Sequence, residues 1–200
     1  KMCTKRPSAV NFLAQSIQDV LVIEPDIHSD ERGYFVETFR KDIIEDSTGY
    51  KIDFVQDNES RSHKGVLRGL HFQIPPHAQS KLVRVIHGAV LDVAVDIRRG
   101  SPSFGQHVAV ELSDINKKQM FIPRGFAHGY VVLTDTATFA YKVDNYYSPE
   151  CDRGLVFDDI DLNINWQLNK QELLVSDKDI QQPKFTELTD FFDYGYNYYE

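Results

Sequence analysis

Short runs of alternating apolar and polar residues recur along the chain, each bounded by residues that favour turns. Ten such runs cover residues 20–27, 34–39, 54–59, 66–72, 81–86, 90–97, 107–112, 119–122, 130–133 and 138–143. The segments between them are rich in glycine, proline and aspartate, as in Arg99-Gly100-Ser101-Pro102. Alternation at a period of two is typical of half-buried strands, and many short strands joined by turns indicate a sandwich or a barrel. The pattern therefore predicts an all-β fold.

Helical patterns are few and short. Residues 41–47 predict a helix of two turns, and residues 171–179 and 186–192 predict short peripheral helices near the C-terminus. No repeat of fixed period and no linker composition interrupts the chain, so we expect one domain over residues 1–200. Residues 1–18 are expected to form an N-terminal extension. Residues 193–200, with four tyrosines, are expected to be a poorly ordered tail or a surface strap.

Composition and charge exclude several classes of protein. The 200 residues carry a net charge of −8 without a basic run of five residues, which argues against a partner that is nucleic acid or membrane. Two cysteines, Cys3 and Cys151, are too few for a disulfide framework. The apolar run at 89–95 is interrupted by Asp92, and the N-terminal segment lacks the apolar core of a signal peptide. These features favour a cytoplasmic location.

The segment Gly65-Val66-Leu67-Arg68-Gly69-Leu70-His71-Phe72-Gln73 places cationic and titratable groups within an apolar strand pattern. Alternation puts His71 and Gln73 on one face, with Leu70 and Phe72 on the other. Lys81 follows on the next predicted strand. Because a buried charge is costly unless it is paired, such a face must line a cavity or meet water. We expect a pocket that removes a proton and holds an anion; a histidine with a purely structural role is the alternative.

Several further motifs resemble the dTDP-4-dehydrorhamnose 3,5-epimerase family in order and type. They are Asp30-Glu31-Arg32-Gly33-Tyr34-Phe35, Gln56-Asp57-Asn58, Leu67 to Gln73, Asp92 to Arg98, Phe121-Ile122-Pro123-Arg124-Gly125-Phe126-Ala127-His128-Gly129 and Tyr141-Lys142. The resemblance runs from about residue 20 to residue 179. It implies a double-stranded β-helix (jelly-roll, cupin) homodimer that works without a cofactor. It also implies conversion of dTDP-4-dehydro-6-deoxy-D-glucose to dTDP-4-dehydro-L-rhamnose, in dTDP-L-rhamnose biosynthesis.

The resemblance implies a role for each of four catalytic residues. His71 would remove the protons at C3 and C5, and histidine suits this task because its pKa lies near neutral pH. Asp179 would hold the other ring nitrogen of His71, although Asp177 remains a second candidate. Lys81 would support the enolate oxygen, as preorganised positive charge does in such reactions. Tyr141 would return a proton to the opposite face of the sugar.

Residues that bind the substrate are implied in the same way. Arg68 and Arg32 match diphosphate and sugar contacts, because arginine offers the fork of donors that a diphosphate requires. Tyr147 matches a residue that stacks on thymine, with its neighbour Tyr146 as an alternative, and Arg32 and Glu37 would cross to the partner subunit. The remaining matched contacts are Gln56, Asp57, Asn58, His128, Lys178 and Asp152. Asp152 stands where the family has a glutamate, so its shorter side chain leaves that contact open.

A cupin fold raises the possibility of a metal site. Gln73 stands where a second ligand after His71 would be needed, and only His128 occupies a further ligand position. Two histidines make a weak site for zinc or iron, so we expect no metal. Three alternatives to the double epimerase stay open. They are an epimerase that inverts C3 or C5 alone, a metal-dependent cupin oxygenase and a sugar-binding cupin without catalysis.

Overall fold

A computed structural model describes residues 10–200, and it consists mainly of strands. Cys3 lies outside the described residues. The first half contains β1 (Asn11–Leu13), β2 (Leu21–Glu24), β3 (Ile27–Asp30), β4 (Gly33–Val36), α1 (Lys41–Thr48), β5 (Gln56–His63), β6 (Val66–Gln73), β7 (Lys81–His87) and β8 (Ala89–Asp96). The second half contains β9 (Arg98–Arg99), β10 (His107–Ser113), β11 (Gln119–Ile122), β12 (Phe126–Val132), β13 (Thr136–Val143), β14 (Asp152–Gly154), β15 (Leu174–Val175), α2 (Asp177–Ile180) and β16 (Phe192–Asp193). Single turns of 3₁₀ helix lie at Lys170–Glu172 and Phe185–Glu187.

Two large sheets face each other. The first has the strand order β1-β2-β11-β7-β13-β5, and the second has the order β10-β8-β12-β6-β14, with β15 parallel to β6. Two small pairs complete the structure: the hairpin β3-β4 and the parallel pair β16-β9. The predicted all-β jelly roll with a few short helices is confirmed. Within residues 10–200, none of the helices has the length and apolar character needed to cross a bilayer.

Strand β8 shows how the core is divided. Val90 and Ala94 point between the two sheets, whereas Leu91, Val93 and Val95 belong to a second core on the outer face of the second sheet. A strand that is buried on both faces reads as a nearly continuous apolar run, which explains why 89–95 is so apolar. The C-terminal segment covers this second core, to which it contributes the buried residues Trp166, Leu188 and Phe192.

A third core lies on the outer face of the first sheet. Helix α1 packs there through Ile44, which meets Leu82 of β7 and Phe121 of β11. The helix ends at Gly49, whose φ of 73° is left-handed and whose amide donates to the carbonyl of Glu45. The prediction of a short helix at 41–47 is confirmed.

Other predicted bounds are wrong, for identifiable reasons. The predicted strand 20–27 ends at Glu24, because Pro25 has no amide to donate to a sheet. The predicted strand 34–39 ends at Val36, and the strand predicted at 130–133 begins four residues earlier, at Phe126. The predicted helix at 171–179 is reduced to Asp177–Ile180, since Leu174–Val175 pairs with β6. A 3₁₀ turn and a strand replace the helix predicted at 186–192.

Candidate active site

A β-bulge in β6 brings two functional side chains to one face. His71 pairs with His128 and Arg68 pairs with Tyr130, so three steps along β6 match two steps along β12. Gly69 lies inside the bulge with a φ of 123°. Strict alternation would place Arg68 and His71 on opposite faces, whereas the bulge lets both line the cavity between the two sheets. This cavity has a volume of about 620 Å³.

His71 is held by a buried carboxylate. Its Nε2 lies 2.6 Å from Asp179 Oδ1, while the backbone amide of Gly69 donates to Asp179 Oδ2 at 3.2 Å. Burial raises the pKa of Asp179, but the bonds from His71, Gly69 and Ser176 outweigh it and keep that pKa below its usual value. Asp179 therefore stays charged and is positioned to accept a proton from Nε2 of His71; in that tautomer Nδ1 is the acceptor that faces away from Asp179. Asp177 is exposed and does not line the cavity.

A second histidine–carboxylate pair lies beside the first. Nε2 of His128 is 3.0 Å from both carboxylate oxygens of Asp92, and both residues are buried. Burial lowers the pKa of His128 and raises the pKa of Asp92. Asp92, which interrupts the apolar run of β8, is thus paired with His128 of the cavity wall. Sequence analysis did not assign a role to Asp92, although a carboxylate inside an apolar strand was a usable signal.

The opposite wall comes from the first sheet. Lys81 at the start of β7 and Tyr141 on β13 both line the cavity. Burial lowers the pKa of Lys81 to about 8, although Asp92 and Asp152 attract its charge. Burial also raises the pKa of Tyr141, so its hydroxyl keeps its proton at neutral pH. Phe139 is fully buried on the same face of β13, with its ring centroid 5.9 Å from that of Tyr141.

Hydroxyl groups that the sequence analysis did not single out link this wall to the second sheet. Tyr130 stacks on Phe139 at a centroid distance of 4.1 Å, and its hydroxyl lies 2.8 Å from Ser60 Oγ. The guanidinium of Arg68 donates to Ser62 Oγ at 3.2 Å. Alternation along β5 places both serines on the inner face, so that pattern could have identified them.

The cavity continues into a second cleft of about 350 Å³ at the end of the sheets. Both Tyr146 and Tyr147 are exposed, but only Tyr147 lines this cleft. The hydroxyl of Tyr147 donates to Asp152 Oδ2 at 3.4 Å, and Lys178 donates to the same oxygen. Asp152 therefore reaches the cleft despite its short side chain. Gln56 and Asn58 also line this cleft and are joined by a hydrogen bond of 2.9 Å.

Three predicted residues lie away from the cavity of their own chain. Asp57 points to the outer face of β5 and pairs with Lys142 at 2.9 Å. Arg32 is exposed in the β3-β4 hairpin and pairs with Asp30. Glu37 lies just after that hairpin, 3.9 Å from Arg40. Strand alternation explains why Asp57 points outward, since its neighbours Gln56 and Asn58 take the inward positions.

Residues that could hold a metal ion are not clustered. Among residues 10–200, no group of three or more histidine, cysteine, aspartate or glutamate side chains has suitable positions. His71 and His128 each face a carboxylate through Nε2 instead. The chemistry that the site can perform is proton transfer beside a bound anion.

Comparisons with known proteins agree with this geometry. The sequence model of the dTDP-4-dehydrorhamnose 3,5-epimerase family matches residues 14–187. The dTDP-4-dehydrorhamnose 3,5-epimerase of Shigella flexneri is 51% identical over 183 residues, which cover 92% of this chain and 99% of the relative.

Solved structures give the same result. The chain superposes with a TM-score of 0.89 and 46% identity on the dTDP-6-deoxy-D-glucose-3,5-epimerase of Legionella pneumophila in complex with dTDP-4-keto-L-rhamnose, covering 94% of this chain and 100% of that one. A 3′-monoepimerase of Streptomyces bikiniensis in complex with dTDP-quinovose is less similar, with a TM-score of 0.81, 35% identity and 86% coverage of both chains. The chain therefore belongs to the dTDP-4-dehydrorhamnose 3,5-epimerase family.

Proposed function

We propose that this chain converts dTDP-4-dehydro-6-deoxy-D-glucose to dTDP-4-dehydro-L-rhamnose by inverting C3 and C5. One observation carries the proposal: a histidine–aspartate base and a protonated tyrosine face each other from different sheets across one cavity. Inversion beside a ketone requires removal of a proton from one face of the sugar and delivery of another to the opposite face. The two sheets supply one group for each task.

His71 acts as the base. With Nε2–H donated to Asp179, Nδ1 is unprotonated and can accept a proton from carbon. The hydrogens on C3 and C5 of the D-gluco sugar lie on the same ring face, so a single base can remove both in turn. The C4 ketone makes these hydrogens acidic because the negative charge passes to its oxygen.

Lys81 stabilises the enolate oxygen, and Tyr141 delivers the proton from the other face. Lys81 is half-buried, which strengthens its attraction for a developing negative charge. Removal of one such preorganised donor typically costs about 2.7–4 kcal/mol of transition-state stabilisation. The scheme uses only side chains of the enzyme.

The nucleotide is bound by the cations and the aromatic residue around the cavity. Arg68 supplies a fork of donors for the diphosphate, while Tyr147 offers a ring on which thymine can stack. Gln56, Asn58, Lys178 and Asp152 contact the nucleotide or sugar from the second cleft. His128 contacts the sugar from the same side of the cavity as His71, which lies on the neighbouring strand.

The active form is proposed to be a homodimer in the cytoplasm, in which the β3-β4 hairpin crosses to the partner subunit. The hairpin exposes Ile27, Tyr34 and Phe35, and Phe35 is 68% exposed. Three large exposed apolar side chains on one short hairpin favour contact with a protein partner over contact with water. Arg32 and Glu37 would then complete the partner's cavity, since they do not reach the cavity of their own chain.

The test is solvent exchange in D₂O, with deuterium at C3 and C5 of the sugar followed by NMR. Deuterium at both carbons together with the L-lyxo product supports the double epimerase. The His71→Asn variant should lose exchange at both carbons by about 10²–10⁴-fold and still bind dTDP. His87→Asn is the matched control, because His87 forms a surface pair with Asp114 at 3.4 Å.

Three outcomes would contradict the proposal. Deuterium at one carbon only would assign the chain to the single-centre epimerases. Absence of exchange in a protein that binds dTDP would favour a sugar-binding cupin. Stoichiometric iron or zinc in the purified protein, with metal-dependent oxygen consumption, would favour an oxygenase.

A further inference from the structure

The C-terminal strap, residues 192–200, runs from the second core to the outer face of the first sheet. It begins at Phe192, which is buried and lies beside Phe72 of β6 at 6.3 Å between ring centroids. It ends with Tyr199, whose ring stacks on Tyr50 at 4.1 Å and packs against the core beneath α1. The strap therefore connects two cores that lie on opposite outer faces of the molecule.

The hydroxyl of Tyr199 is bonded on both sides. It accepts a hydrogen bond from the backbone amide of Arg124 at 3.0 Å and lies 2.7 Å from Ser80 Oγ, to which it can donate. Ser80 is fully buried and immediately precedes Lys81. Burial raises the pKa of Tyr199 to about 12, so the hydroxyl remains a donor throughout the working range of pH. The strap thus reaches the side chain of the residue next to the lysine of the cavity.

A second link leads from the strap to the segment that carries Tyr147. The side chain of Arg124 donates to the carbonyl of Tyr198 and to Asp144 Oδ2, the latter at 3.2 Å. Asp144 in turn accepts a hydrogen bond from the amide of Ser80. Asp144 follows β13 directly and leads into Asn145–Tyr147, so one cluster joins the start of β7 to this segment.

We propose that Tyr199 is a positioning residue, which holds Ser80 through its side-chain hydroxyl and thereby fixes the placement of Lys81 in the cavity. The proposal rests on the proposed function, because Lys81 is assigned there to the enolate. Neither Tyr199 nor Ser80 lines the cavity, so both act through Lys81 and not by contact with the sugar. The Arg124–Asp144 pair holds the other side of the same junction.

The experiment compares Tyr199→Phe with the wild-type enzyme, using kcat for epimerisation and calorimetric binding of dTDP. Loss of one hydrogen bond to a positioned group should lower kcat by roughly 3- to 10-fold. The Kd for dTDP should stay within about twofold, because the nucleotide contacts are made elsewhere. The calorimetric stoichiometry counts intact sites, so kcat per site separates misplacement of Lys81 from partial unfolding.

Tyr196→Phe is the matched control, since Tyr196 lies on the same strap and is 65% exposed. Ser80→Ala should reproduce the loss of kcat. The double variant should be no worse than either single variant, because both substitutions remove the same hydrogen bond between Ser80 and Tyr199. A kcat per site for Tyr199→Phe that equals the control, or losses that add in the double variant, would overturn the proposal. Failure of the wild-type enzyme to epimerise would instead overturn the proposed function.

Discussion

At the scale of single residues, proton removal and proton return should be separable. Tyr141→Phe keeps the ring that packs near Phe139 but removes the hydroxyl, so the fold should survive. His71 can still form the enolate and can return a proton to the original face. In D₂O the variant should therefore place deuterium in the starting sugar, while epimerised product falls by about 10²–10⁴-fold.

The control is Tyr146→Phe, because Tyr146 is a neighbouring tyrosine that points to solvent. Epimerisation at the wild-type rate by Tyr141→Phe would show that another group delivers the proton. Loss of exchange as complete as in His71→Asn would show that the tyrosine acts during proton removal, contrary to the proposed division of roles.

The lowered pKa of Lys81 predicts that activity falls at alkaline pH. In the proposed mechanism the protonated form of Lys81 stabilises the enolate, and burial lowers the pKa of this lysine to about 8. As pH rises through 8 the lysine loses its charge, so kcat/KM should decrease above that pH and not near the usual value for lysine. Lys81→Arg stays charged, so its profile should lack this decrease even if its activity is lower. A wild-type profile that stays flat to pH 10 would contradict this role.

The residues that could be predicted are those whose role follows from type and motif. The polar positions in the strand pattern single out His71 and Lys81, the resemblance adds Tyr141, and the structure brings all three to one cavity. Alternation alone would have separated Arg68 from His71, because it contains no information about a bulge. The contact between His71 and Asp179 spans 108 positions, and no local pattern could indicate it.

At the scale of elements, the bulge in β6 should not tolerate a side chain at Gly69. A Cβ there would lie 2.6 Å from Gly129 Cα and 2.7 Å from the carbonyl oxygen of His128, both backbone atoms. The φ of 123° adds strain of about 1–3 kcal/mol for any other residue. We expect Gly69→Ala to lower the free energy of unfolding by more than that strain alone, as measured by denaturant titration.

Gly100→Ala is the control for this prediction. Gly100 also has a positive φ, of 83°, but a Cβ there would meet no atom within 4 Å. The difference between the two losses in the free energy of unfolding therefore measures what the close approach of β6 and β12 costs when a side chain is added at Gly69. Equal destabilisation of the two variants would show that the contact with β12 contributes little.

Strands with clear alternation were predictable, while elements defined by distant partners were not. The run at 81–86 became β7 with almost the same bounds, because its pattern is local. The helix predicted at 171–179 failed because pairing of Leu174 and Val175 with Val66 and Leu67 overrides helical propensity. The start of β6 is thus paired with a segment about 108 residues away, which the order of residues does not reveal.

At the scale of the whole molecule, the proposed crossing of the β3-β4 hairpin to the partner subunit predicts complementation between inactive subunits. In a mixed dimer of Arg32→Ala and His71→Asn subunits, one cavity combines an intact His71 with the partner's intact Arg32. Random exchange makes half the dimers mixed, and each has one complete site in two, so mixing should restore about a quarter of wild-type activity. The activity of refolded mixtures measures this.

The alternative geometry gives the opposite result. If Arg32 served the cavity of its own chain, every site in the mixed dimer would lack one residue, and mixing would restore nothing. Remixing His71→Asn with wild-type subunits provides the control for refolding. Sedimentation at several concentrations would show whether the mixtures are dimeric.

Placement of the proposed base, His71, and the proposed donor, Tyr141, on different sheets has a consequence for how the family can diversify. The distance between proton pickup and proton delivery is set by the thickness of the core that separates the sheets, where Val83, Ala94 and Val132 are packed outside the cavity lining. Protein interiors are dense and transmit changes in volume, so a core substitution alters that distance without touching the sugar. Selection can therefore shift which ring carbon is inverted through residues that no comparison of pocket linings would single out.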